Sequence, residues 1–234
     1  LAKTVKTGWR RIHTTFGGFG LLSFPIEQLI CRLNLVLQHY HMGTALSRKL
    51  DTSLRLLQLQ LGTPYSPLTL PYALWNIYVP RCWVKVLWES VIFCRVQLRL
   101  RYDSMPFPRQ GDKVVMEIIH ERVPHIDDRL SMARVRGKLE VIFLSDMVTA
   151  CGRYIEHFAL HPQSGESSNS RYKFPREEPT QHDWEIWCTF WQAYADEGGR
   201  LSVPLGAWQA ATHRQWKWFY NDVTGALCEQ TKDG

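Results

Sequence analysis

Asp127-Asp128 is the only pair of adjacent aspartates in the 234-residue chain. Two neighbouring carboxylates can hold two divalent ions for phosphoryl-transfer chemistry. This pair follows His125-Ile126 and opens a stretch of helical periodicity. Acidic side chains there offset the partial positive charge of a helix N-terminus, and we read the pair as an N-terminal cap. His120-Glu121 followed by His125 has the composition of a zinc-protease signature, but the spacing is one residue too long and Pro124 interrupts the helix. A metal pair on a helix requires i, i+4 spacing. His39 and His41 are two apart, with no carboxylate or thiol partner near, and read as turn or core residues. The six cysteines, at 31, 82, 94, 151, 188 and 228, form no Cys-x-x-Cys pair. That argues against a zinc ribbon or a disulfide scaffold and fits reduced thiols in an intracellular protein. Gly17, Gly18 and Gly20 form a glycine loop without the Lys-Ser/Thr that a nucleotide-phosphate loop needs. The expectation is a chain with no catalytic residue and no metal site of its own.

What remains is the chemistry of charge. Residues 1–104 hold 13 Lys and Arg against 4 Asp and Glu, a net of +9, whereas residues 105–234 hold 15 against 18, a net of −3. A basic half beside a mildly acidic one suits a polyanion meeting the first half only. Lys3, Lys6, Arg10 and Arg11 surround Trp9, a cluster able to touch phosphates and to stack on a base or sugar. Arg32, Arg48, Arg55, Arg95 and Arg99 extend the candidate set along the first half.

The elements that must position these groups follow from periodicity and punctuation. Ser23 and Pro25 start a helix whose apolar residues Ile26, Leu29, Ile30, Leu33, Leu37 and Tyr40 share one face. Gly43 and Thr44 end that helix and cap the next, which carries Leu46, Leu50, Leu54, Leu57 and Leu61 on one face and stops at Gly62. The two read as an αα-hairpin. A short helix with Trp83, Val84, Leu87 and Trp88 inward follows a proline-rich loop. Val91 to Arg101 then alternates apolar with basic residues, which predicts a strand.

Met105 to Gly111, with two prolines and a glycine, is the expected boundary between domains at 1–104 and 105–234. Beyond it, Asp112 is expected to cap a helix running to about Arg122, and Asp127-Asp128 opens another running to about Val141. Leu144 to Leu160 reads as a turn and a strand, and residues 161–182 as a polar linker holding Arg171, Lys173 and Arg176. Thr180 and Asp183 form a capping box for a helix with Trp184, Trp187, Cys188, Trp191 and Tyr194 on one face. Trp216–Tyr220 and Ala226–Glu229 read as a β-hairpin. The expected fold is α+β and predominantly α-helical, with a helical first half and then helices with short β-hairpins.

The Gly17-Gly18-x-Gly20-x-x-Ser23 segment, leading into a helix that holds Gln28 and Asn34, resembles the region just after the polymerase palm in reverse transcriptases of non-long-terminal-repeat retrotransposons. The resemblance is clearest over Gly17–Tyr40 and extends from Trp9 to about Glu89. LSDMVTACGRYI at Leu144–Ile155 and PLGAW with HRQWKWFY at Pro204–Tyr220 look like the trailing region of the same kind of protein, with Cys151 where family members tend to have an acidic residue.

The resemblance implies that residues 1–104 are thumb-like, with Gly17, Gly18 and Gly20 at the start of the thumb, and that the chain is a fragment of an RNA-directed DNA polymerase. The metal-binding aspartates would then lie upstream of Leu1, and Mg²⁺ would serve the parent polymerase rather than this fragment. The partners implied are RNA or an RNA–DNA duplex and the upstream palm of the same protein, in the nucleus or cytoplasm. No apolar run approaches the length of a membrane span. The competing reading is a structural interaction module that docks through a tryptophan-rich surface.

Overall fold

The computed structural model describes Thr15 and residues 24–40, 42–98, 105–161, 177–209, 218–221, 224 and 226–229. The chain is predominantly α-helical. In order, its helices are α1 (Phe24–His39), α2 (Ala45–Leu61), α3 (Tyr72–Trp75), α4 (Trp83–Phe93), α5 (Val115–Arg122), α6 (Ile126–Leu139), α7 (His157–Leu160) and α8 (Gln181–Tyr194). An antiparallel ribbon pairs β1 (Trp218–Asn221) with β2 (Ala226–Glu229), placing Phe219 opposite Cys228. No helix among the described residues is long and apolar enough to cross a membrane.

Contacts divide the chain into two units, Leu1–Asp51 with Arg81–Leu98, and Thr52–Pro80 with Arg99–Gly234. The first division falls inside α2. Met105–Gly111, expected as the seam, lies inside the second unit, where Met105 N donates to Pro64 O at 2.8 Å and Gln110 N to Ala207 O at 2.9 Å.

In the first unit α1 packs on α4. Leu29 supplies the buried contact of α1, and Val84, Leu87, Trp88 and Val91 are the buried residues of α4. Arg32 Nη1 donates to Ser90 Oγ at 2.7 Å, and that hydroxyl donates to Val86 O at 2.7 Å. The turn between α1 and α2 forms as its sequence predicts. Gly43 has φ +64°, and Thr44 Oγ1 accepts from Ser47 N at 3.1 Å as an N-cap. The strand expected from Val91 does not form over 91–98. The helix continues to Phe93, and Arg95 turns the chain in the left-handed region at φ +55°, with Val96 N bonded to Val91 O. Burying Val91 beside Leu87 and Trp88 outweighs the two-residue alternation of the side chains that follow. The remainder of that expected strand, from Arg99, lies outside the described residues.

In the second unit α6 and α8 pack together, with α5 against α6 and α7 against α8. Met116, Ile119, Met132, Val135, Phe143, Trp187 and Trp191 are fully buried. Trp187 also donates its indole N–H to Ala159 O at 2.8 Å. The α8 cap is the expected box. Asp183 N donates to Thr180 Oγ1 at 3.2 Å, and Thr180 N donates to Asp183 Oδ2 at 2.8 Å.

Two local expectations are corrected here. Asp112 does not cap α5, which begins at Val115. Its carboxylate accepts from Lys113 N at 2.9 Å and Ser145 N at 3.1 Å, tying two loops together. Leu144–Leu160 is not a turn and a strand but a 3₁₀ turn over Leu144–Met147, an isolated bridge between Val148 and Ile155, and α7.

Candidate nucleic-acid interface

Several basic residues of the second unit are engaged by their own fold. Arg129 donates to Val123 O and His120 O. Arg134 makes a two-pronged contact with Asp183, Nη2 to Oδ1 at 2.7 Å and Nε to Oδ2 at 3.2 Å. Lys138 Nζ meets Glu178 at 2.6 Å. Arg109 is buried, donates to Gly206 O and Thr149 O, and lies 4.8 Å from the Trp208 ring centre. Arg136 is buried and donates to Val141 O, Leu59 O and Gln60 O. Desolvation lowers its pKa to about 10, which leaves it charged at neutral pH. These cations hold loops and helix ends together.

The first unit carries the larger excess of positive charge. It holds 10 Lys and Arg against 3 Asp and Glu, a net of +7, leaving the second unit at −1. Among the sequence candidates, Arg48 on α2 and Arg95 after α4 are exposed, and Arg32 is half-buried on Ser90. Arg55, expected with them, belongs to the second unit and donates to Gln58 Oε1 at 3.0 Å. Arg10, Arg11, Gly17, Gly18, Gly20 and Arg99 lie outside the described residues, as do Arg171, Lys173 and Arg176. The packing of α1 with α4 places Arg81 and Lys85 in the same unit as Arg32 and Arg48, which no local pattern signals because 33 to 53 positions separate them.

The tempting catalytic motifs have structural positions. Asp127 and Asp128 occupy the first turn of α6, where the helix dipole favours carboxylates. His120 is not oriented toward a metal. Its Nε2 lies 2.8 Å from the Tyr78 hydroxyl and its ring stands edge-on to Trp75, centroids 4.4 Å apart. Burial and the nearby Arg129 lower its pKa to about 4, so it is neutral at pH 7, while burial pushes the Tyr78 phenol up to about 12. Cys151 sits in an exposed turn with its thiol 3.2 Å from Thr149 Oγ1, a contact that lowers its pKa.

The geometry therefore offers exposed cations on a helical unit, and among the described residues no group of three or more His, Cys, Asp or Glu gathers to hold a metal ion. No family model, curated protein or solved structure matches the chain.

Proposed function

We propose that the chain is a non-catalytic portion of a retroelement reverse transcriptase that holds an RNA or RNA–DNA template-primer through phosphate contacts, with residues 1–104 thumb-like and residues 105–234 an α+β extension. The upstream palm of the same protein would supply the metal-binding aspartates and Mg²⁺. One observation carries this reading. Among the described residues, the unit of α1, the start of α2 and α4 holds 6 Lys and Arg against 3 Asp and Glu, a net of +3, and the other unit 10 against 15, a net of −5. Contacts made through phosphates position a backbone and are largely indifferent to sequence.

A second reading, a protein-interaction module, is favoured by the exposed apolar side chains of α1. Phe24 is 69% and Leu37 71% exposed, with Ile26 and Ile30 also exposed. Among the described tryptophans, Trp75, Trp88, Trp187 and Trp191 are buried, whereas Trp83, expected to face inward, and Trp208 are exposed. Titration of the full chain against an RNA–DNA duplex at several salt concentrations separates the two readings. Phosphate binding gives affinity that falls steeply with salt. An interaction module gives little affinity and little salt dependence, and absence of binding at low salt by folded protein overturns the first reading.

A further inference from the structure

The spacing that a helical metal pair requires, absent from His39 and His41, occurs at His157, the first residue of α7, and His161, the residue that caps its C-terminus. As a strand this segment would separate the two Cα atoms by about 13 Å. As a helix it brings them to about 6 Å, and their ring centroids lie 4.2 Å apart with planes 31° from parallel. Both side chains are exposed, so a metal ion reaches the rings without burying charge.

The backbone beneath them is held from several directions. Phe158 and Ala159 are buried, Ala159 O accepts the Trp187 indole N–H at 2.8 Å, and His161 N closes the turn on His157 O at 3.0 Å. Upstream, Glu156 N donates to Met147 O and Ile155 N to Gly199 O, each at 2.8 Å. The pair is thus presented on a turn anchored in the core of the second unit, and little backbone freedom is lost when both rings engage one ion.

We propose that His157 and His161 form an open two-histidine site for a divalent transition-metal ion of the zinc–nickel–copper class. Neutral imidazole suits these ions better than it suits Mg²⁺ or Ca²⁺. Among the described residues no group of three or more His, Cys, Asp or Glu forms a metal cage. In the proposed site the two imidazoles are the ligands assigned from the described residues, and its remaining positions are open to water or to a partner's group. The site is independent of the nucleic-acid reading, because its ligands lie on the second unit and the cations of that reading on the first.

The test is calorimetric titration of the full chain with Ni²⁺ at neutral pH. Cys31→Ser with Cys151→Ser serves as background, because those two thiols are exposed and could compete. The expected result is one saturable equivalent of Ni²⁺. His157→Ala and His161→Ala should each weaken it by about tenfold or more, whereas His125→Ala, at another exposed histidine, should leave it unchanged. All three substitutions are at exposed side chains, and circular dichroism checks that each variant is folded. Affinity unchanged in the His157→Ala/His161→Ala double variant, equal weakening by His125→Ala, or no saturable binding would each overturn the site.

Discussion

Gly62 lies directly against the guanidinium of Arg136. A Cβ built on Gly62 would sit 2.6 Å from Arg136 Nε, closer than real side chains approach, and the glycine holds φ +66°. The contact joins two demands of one helix end. Residue 62 must turn left-handed to stop α2; Leu59 O accepts from Gly62 N at 3.0 Å, and the carbonyls of Leu59 and Gln60 both accept from Arg136 Nη2. A buried cation at a helix C-terminus also meets the favourable end of the helix dipole.

Gly62→Ala should therefore destabilise the protein by more than the roughly 1–2 kcal/mol of a left-handed alanine, because the methyl also displaces a charged hydrogen-bond donor. In an Arg136→Ala background the added cost of Gly62→Ala should shrink toward the backbone part alone. A double-mutant cycle by urea unfolding measures the difference. Additive effects would show that the guanidinium is not what fills the space.

Asp183 makes the fold sensitive to strong acid. Its carboxylate is 1% exposed and held well below the usual carboxylate range, chiefly by hydrogen bonding from Arg134, with Ser131 and Thr180 adding to it. A carboxylate with a depressed folded pKa contributes stability above its unfolded pKa, about 3.9, and loses it as pH falls further toward the folded value. Asp183→Asn should cost about 3 kcal/mol at pH 7, the low end for one partner of a buried pair. Arg134 is 35% exposed, so water screens part of the interaction. The variant should also lose less stability than the parent between pH 4 and pH 2.5 (about this window, from the carboxylate reference value). Parallel acid unfolding curves for the two proteins would contradict this.

His120 should produce a second decline at milder pH. Its folded pKa of about 4 lies below the unfolded value, about 6.5. The stability contributed by the neutral ring is present above about pH 6.5 and is lost progressively as pH falls toward 4. Among the described residues Nδ1 has no hydrogen-bond partner, so His120→Phe removes a buried polar atom as well as the titration. Chemical unfolding at about pH 7 and pH 5 should show a smaller pH-dependent loss in His120→Phe than in the parent. An equal loss would assign that decline to another group.

Arg48→Ala with Arg95→Ala should weaken RNA–DNA binding about equally across sequences. It should also flatten the salt dependence by about 0.9 in log–log slope for each duplex phosphate contact removed. Arg134→Ala, whose cation is engaged by Asp183, should alter stability and leave the salt slope in place. A slope unchanged by the first pair would detach these residues from any phosphate surface.

Several elements were legible because their causes are local. Thr180 and Asp183 satisfy each other's backbone within one turn, and a stripe at helical spacing names Trp187 and Trp191 as core whatever packs on them. Gly43-Thr44 and Gly62 likewise punctuate α1 and α2 through backbone conformations that need no distant partner.

Tertiary packing decided the rest. Alternation after Val91 had the period of a strand, yet α4 extends to Phe93 because its buried face extends to Val91. The apolar periodicity of α1 marks one face, but its burial depends on what lies opposite, and only Leu29 is fully covered. Charge was visible along the chain, whereas which cations are engaged was not. Arg136 reaches carbonyls 76 and 77 residues away and Arg134 a carboxylate 49 away, pairings that exist only after the helices meet. The two histidines at 157 and 161 show the same limit. Their spacing is written in the chain, but only the anchoring of α7 by Trp187 makes them neighbours, because a helix rises about 1.5 Å per residue and a strand about 3.3 Å.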